Sequence, residues 1–117
     1  MPDTQKDFRK KLLGIRGENL ALKKLKKSGY KLIKRNFFTP FGEADLIVGK
    51  GGAIVFVEVK TRSGDQYGDP KDAVDGKKRD KYYKIAQYYA QKYGEGVFSF
   101  AVAEVRGNEV NVIEDAF

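Results

Sequence analysis

The stretch Ile54-Val55-Phe56-Val57-Glu58-Val59-Lys60 sets an acid and an amine at the end of an apolar, largely β-branched run. Side chains alternate along a strand, so Ile54, Phe56, Glu58 and Lys60 share one face while Val55, Val57 and Val59 take the other. Apolar residues on both faces mark a central strand, where a carboxylate and an ammonium are costly unless paired or holding an ion. Taken alone, an E-x-K tripeptide on a strand is most often a surface ion pair. Its company points further: Glu43 and Asp45 fall on the preceding strand, and Glu18 ends an apolar helical stripe.

The segment Gly49-Lys50-Gly51-Gly52 reads as a four-residue hairpin turn. With Val48 paired to Ala53, Asp45 falls opposite Phe56 and Glu43 opposite Glu58, and directly opposed residues project from the same side. Glu43, Asp45, Glu58 and Lys60 then converge on one face, with Asp45 diagonal to Glu58 at about 7–8 Å. Acids gathered in this way repel one another unless a cation lies among them. The convergence depends on register, because a one-residue bulge would turn Asp45 away.

Two missing residue types narrow the chemistry. The chain has no Cys and no His, which removes thiolate nucleophiles, zinc–cysteine sites, imidazole bases and His-ligated metals. A metal held here has oxygen ligands, which selects Mg²⁺, Mn²⁺ or Ca²⁺. The net charge of +7 is uneven: residues 1–36 hold twelve Lys and Arg against Asp3, Asp7 and Glu18 and carry +9. A basic first third suits a polyanionic partner, since neutralising phosphates releases counterions; the plainer reading is a solvated, lysine-rich helix.

These residues need elements to position them. A helix is expected up to about Ser28, stopped by Gly29 and weakened near Gly14 and Gly17, with a break near Gly14. In its second half Glu18, Ala21, Leu22 and Leu25 share one face. Strands follow at 30–37, 43–48 and 53–61, then a Gly- and Asp-rich loop at 63–70. A second helix is expected at 72–93, with Tyr82, Ile85, Ala86, Tyr89 and Tyr93 as its inward stripe, and strands at 97–105 and 110–114 follow. The order αβββαββ indicates an α/β protein with a mixed five-stranded sheet flanked by helices, in a single domain spanning 1–117. No run is long enough to span a bilayer, and no signal peptide is legible at the start, so the expectation is a cytoplasmic protein without a membrane partner.

The set Gly17-Glu18-x-x-Ala21, Gly29-Tyr30, Arg35-Asn36, Gly42-Glu43-x-Asp45-Leu46-Ile47, Phe56-Val57-Glu58-Val59-Lys60-Thr61-Arg62, Tyr67-Gly68, Ala73-Val74-x-x-x-Lys78 and Ala116-Phe117 resembles the bacterial YraN-like family over nearly the whole chain. That family resembles small PD-(D/E)XK nucleases, with a restriction-endonuclease-like core akin to that of archaeal Holliday-junction resolvases. The resemblance implies a catalytic set of Glu18, Asp45, Glu58 and Lys60. It implies Mg²⁺ or Mn²⁺ held by Asp45, Glu58 and the Val59 carbonyl, with Glu18 adding a ligand directly or through water. One departure is visible: where the family often shows Arg-Phe-Asp-Val, this chain has Ser99-Phe100-Ala101-Val102.

The activity that follows is phosphodiester hydrolysis of nucleic acid, DNA favoured over RNA, on branched or damaged substrates. Lys60, beside acids, is assigned electrostatic stabilisation rather than base catalysis. Lys23, Lys27, Arg35, Arg62, Lys77, Lys78 and Lys81 are candidate phosphate contacts, each with a solvated helix or strand face as its alternative. Tyr67 and the Tyr82-Tyr83 pair are candidates for stacking on bases, although Tyr82 fits core packing better. A homodimer would supply paired sites for two strands. Competing readings are a non-catalytic nucleic-acid-binding module and an interaction protein with a buried polar network.

Overall fold

The computed structural model describes residues 4–62 and 76–116, with the side chains of α1 described from Phe8 onward except that of Lys10. The loop expected at 63–70, Tyr67 within it, and a helix start at Asp72 lie outside the described residues. The elements are α1 (Thr4–Lys27), β1 (Lys31–Thr39), β2 (Gly42–Lys50), β3 (Ala53–Arg62), α2 (Gly76–Tyr93), β4 (Val97–Arg106) and β5 (Glu109–Ile113). The five strands form one mixed sheet in the order β1-β2-β3-β4-β5. All neighbours are antiparallel except β3 and β4, which run parallel because the connection containing α2 crosses back over the sheet.

The helices cover opposite faces. Ala21 and Leu25 of α1 pack on Leu46, Val48, Val55, Val57, Ala101, Ala103 and Val105. Tyr82, Ile85, Ala86 and Tyr89 of α2 pack on Phe37, Ala44, Ile47 and Phe56. Alternation along β3 serves both layers, as its apolar run predicts. Ala101 is 1% exposed in the core under α1 and pairs with Val57, so the departure in the fourth strand replaces an acid with a small apolar residue in a dry layer. Among the described residues, no helix is long and apolar enough to cross a membrane.

Several expectations need correction. Helix α1 runs unbroken through Gly14 and Gly17, because packing on the sheet outweighs the propensity cost of about 1 kcal/mol per glycine. Tyr93 ends α2 half-exposed, its ring tilted against those of Phe37 and Tyr89 rather than buried in the stripe. The β2–β3 turn has two residues rather than four: Lys50 pairs with Ala53, and Gly51 and Gly52 adopt φ of +58° and +85°, the left-handed pair that a type I′ turn demands. Every partner moves by two, so Phe56 faces Ile47. A shift of two preserves the faces along the ladder, which ends at Leu46↔Val57 before it reaches Asp45.

Gly17 fixes how closely α1 approaches β3. A Cβ there would overlap Thr61 Oγ1 and lie 3.8 Å from Val59 Cγ1. Thr61 is β-branched and stiff at χ1, so it yields poorly. Gly17→Ala is therefore expected to destabilise the fold by about 1–3 kcal/mol despite its better helix propensity, measured by urea denaturation. Gly17→Ala combined with Thr61→Ala should recover most of the loss. A Gly17→Ala variant more stable than the parent would contradict this packing.

Candidate active site

The hydrogen-bonded ladder between β2 and β3 runs from Lys50↔Ala53 only to Leu46↔Val57. Yet β2 begins at Gly42 and β3 continues to Arg62. Beyond Leu46 and Val57 the strands fork, β2 staying with β1 as far as Gly42↔Thr39 and β3 with β4 as far as Arg62↔Arg106. Asp45 fills the fork. Its Oδ2 accepts the Val59 N–H at 2.8 Å, substituting for the main-chain acceptor that a closed ladder would supply. The Val59 N–H and C=O lie on the same edge of β3, so that carbonyl is also directed toward the fork.

The distortion that aims Asp45 shows in the packing. Ala44 and Ile47 pack under α2, whereas Leu46 and Val48 pack under α1, so alternation along β2 is interrupted at Asp45. Across the ladder, between the pairs Arg35↔Leu46 and Phe37↔Ala44, Asn36 has φ +54°, a conformation asparagine tolerates better than most residues. Turned with its nitrogen toward the acids, the Asn36 amide donates to Glu18 Oε1 at 3.2 Å and Glu43 Oε1 at 2.9 Å.

Four acids from three elements meet here. Burial pushes the Asp45 carboxyl up to about 7, helped by the charges of Glu58, Glu18 and Glu43 against the Val59 N–H. Burial also raises the Glu43 carboxyl, followed by the charge of Glu18, while Lys81 opposes the rise. The convergence expected from the sequence is present in this electrostatic sense, but it spans a fork between the two helical layers rather than one face of a closed hairpin. Among the described residues, no three acids form a ready-made metal cage. The donor set is nevertheless all oxygen, which fits Mg²⁺ or Mn²⁺ rather than a softer metal.

Each acid is held from a neighbouring element. Arg35 Nε donates to Glu18 Oε1 at 3.2 Å, and Arg35 also reaches the Ile15 carbonyl at 3.4 Å. Lys78 Nζ donates to Glu58 Oε1 at 3.1 Å, and the Tyr82 hydroxyl donates to Glu58 Oε2. Lys78 and Tyr82 stand one turn apart on α2, so the helix grips both oxygens of Glu58. Burial raises the Tyr82 phenol, and the Glu58 and Asp45 charges raise it further; it remains a donor. Lys60 shares the Glu58 face of β3 and makes no ion pair or hydrogen bond among the described residues.

The expected phosphate contacts separate. Arg35, Lys78 and Lys81 lie against the acids, and Lys77 is exposed beside Lys78 on α2. Arg62 is not an open rim cation: its Nε lies 3.5 Å from Glu104 Oε2, and Glu104, 6% exposed, also receives Arg106 Nε at 2.8 Å. Lys23 and Lys27 project from the other side of α1. Sequence reasoning missed Asn36 and the polar duty of Tyr82. An asparagine interrupting a strand carries a usable signal, since it is depleted there; a tyrosine in an apolar stripe carries a weaker one, although its buried hydroxyl needs a partner.

A pH dependence follows from Asp45. Its folded-state carboxyl is raised, so the stability it contributes is full below the unfolded value near 3.9 and is lost as pH rises through about 7. Without divalent metal, stability relative to Asp45→Asn is expected to fall across this window by up to about 4 kcal/mol. Asparagine retains an acceptor for the Val59 N–H, so paired denaturation curves from pH 4 to 8 isolate the charge. Parallel pH profiles for the two proteins would refute the strained ionisation.

Comparison with known proteins shows the family. Residues 17–112 match the model of the uncharacterised protein family UPF0102. A UPF0102 protein of Thermodesulfovibrio yellowstonii is 41% identical over 106 residues, covering 90% of this chain and 95% of that one. Another, from Alkaliphilus metalliredigens, is 40% identical over 92% of this chain and 98% of its own. A third, from Caldicellulosiruptor saccharolyticus, is 39% identical with the same coverage. The matched span holds Glu18, Asp45, Glu58 and Lys60 together with β2, β3 and the part of α1 from Gly17 onward, and the chain belongs to the UPF0102 family, the YraN family.

Proposed function

We propose that the protein is a metal-dependent nuclease that hydrolyses phosphodiester bonds in nucleic acid, DNA in preference to RNA. The observation that carries this reading is Asp45, forced into the β2–β3 fork beside Glu58, Glu18 and Glu43 with its carboxyl raised to about 7. A fold with only its own stability to serve has no reason to gather four acids there. Asp45, Glu58 and the Val59 carbonyl would hold Mg²⁺ or Mn²⁺, with Glu18 as a direct or water-mediated ligand. When bound, such an ion supplies an acidified water and polarises the phosphate.

The chain's own residues do the rest. Asp45 gives up its proton on loading, so loading improves as pH rises through about 7. Arg35 and Asn36 fix Glu18, and Tyr82 fixes Glu58. Lys78 balances Glu58 and stands with Lys77 and Lys81 on the helix bordering the acids, where phosphate oxygens would arrive. Lys60, on the Glu58 face of β3, stabilises charge developing on the phosphate. A homodimer would present two such sites to two strands.

A second reading, a binding module that grips nucleic acid without cutting, is favoured by one observation: Glu58 and Glu18 already have cationic partners in Lys78 and Arg35. Time courses on linear, flapped and four-way-junction DNA and on RNA, with Mg²⁺ or Mn²⁺ supplied, decide between them. Cleavage is expected on at least one DNA substrate. Binding without any cleavage would replace the enzyme with the module.

A further inference from the structure

We infer that the groove between α1 and the β4–β5 hairpin is a second nucleic-acid site, which takes the phosphate backbone of duplex DNA independently of the acid cluster. It rests on the nucleic-acid half of the reading above and not on hydrolysis. The groove encloses about 690 Å³ and is walled on one side by Lys23, Lys24 and Lys27 and on the other by Asn108, Val110 and Asn111. At 3.6 residues per turn, Lys27 lies about 180° around α1 from Glu18 and about 13 Å further along it. The groove is thus a separate surface, with α1 between it and the acids.

Charge and construction both point to phosphate. None of the three lysines has an ion-pair partner among the described residues. Attraction to the helix C-terminus accounts for lysines in the last turn, but it does not account for a facing wall that is braced in place. Arg16 supplies the brace, donating to the Gly107 carbonyl at 2.9 Å and to Asn108 Oδ1 at 2.6 Å. With that oxygen engaged, Asn108 offers its amide nitrogen as a donor. Glu104, also on the groove lining, is balanced by Arg62 and Arg106, leaving Glu109 as the acid at the rim.

The lining identifies the form of nucleic acid. Single strands are held by bases stacked on aromatic rings, and among the described residues no aromatic side chain lines this groove. Ammonium and amide donors suffice for a duplex backbone. A protein with a site on each side of α1 would hold a second arm of duplex while the first lies at the acids, which suits a branched substrate.

The test is titration of a short DNA duplex in EDTA, so that cleavage plays no part. Lys23→Gln/Lys24→Gln/Lys27→Gln should weaken binding about ten-fold or more at low salt and reduce the salt slope by about 2–3. Lys31→Gln/Lys84→Gln/Lys92→Gln makes the same charge change on exposed lysines elsewhere and should cost much less. In the unaltered protein, the side-chain amide resonances of Asn108 and Asn111 should shift on DNA addition. Equal losses in the two triple variants, or shifts confined to residues around Glu58, would overturn the site. Capture by anionic phospholipid vesicles that depends on the three lysines, with DNA binding unchanged, would overturn it in favour of a membrane surface. Loss of cleavage with this binding intact would count against the nuclease alone.

Discussion

Lys60→Ala should cut nucleic acid about 10²–10³-fold more slowly than the parent chain, while its Mg²⁺ or Mn²⁺ affinity holds or rises. The direction follows from position. Lys60 stands two residues beyond Glu58 on the same face of β3, and among the described residues it holds no ion pair or hydrogen bond. Removing its ammonium breaks no such contact and takes away a cation that stands two residues from Glu58 on the same face of β3. Side-by-side time courses on the substrate panel, with metal binding measured on the same preparations, check both halves. Equal cutting by the two proteins would point to a contaminating nuclease and leave Lys60 without the assigned role.

Asp45→Asn should move activity and stability in opposite directions. Asparagine keeps an acceptor for the Val59 N–H but loses the anionic ligand, so cleavage should drop by about 10³-fold or more, the equivalent of several kcal/mol of transition-state stabilisation. Without metal at pH 8, the same change should raise the melting temperature by several degrees, because it deletes a buried charge beside Glu58, Glu18 and Glu43. A variant that lost stability and activity together would mean that Asp45 serves the fold.

Much of this architecture was legible in the sequence. The apolar run before Glu58 located the central strand, the i, i+3, i+4, i+7 stripe located the buried face of α1, and glycines marked the β2–β3 turn. Along the paired part of β2 and β3 the faces survived even though the register was off by two, since side-chain alternation has a period of two. The fork was not legible. It exists because Asp45 takes the Val59 N–H from the main chain of β2 and because Asn36 adopts a left-handed conformation opposite it; periodicity encodes neither. The ligation of Glu58 by Lys78 and Tyr82 was hidden for a similar reason, since it joins residues twenty or more positions apart through the packing angle of α2. The pairing of Arg62 with Glu104 was hidden because Glu104 sits on a strand that becomes its neighbour only through the parallel crossover.

Whether the four acids constitute a metal site is decided most directly by calorimetric titration of Mn²⁺ and Mg²⁺ at pH 8 into the parent chain, Asp45→Ala and Glu58→Ala. One site per chain is expected in the parent, tighter at pH 8 than at pH 6, and strongly weakened in both variants. Metal binding that is absent from the parent, or unchanged in both variants, would contradict a metal-dependent nuclease at its root.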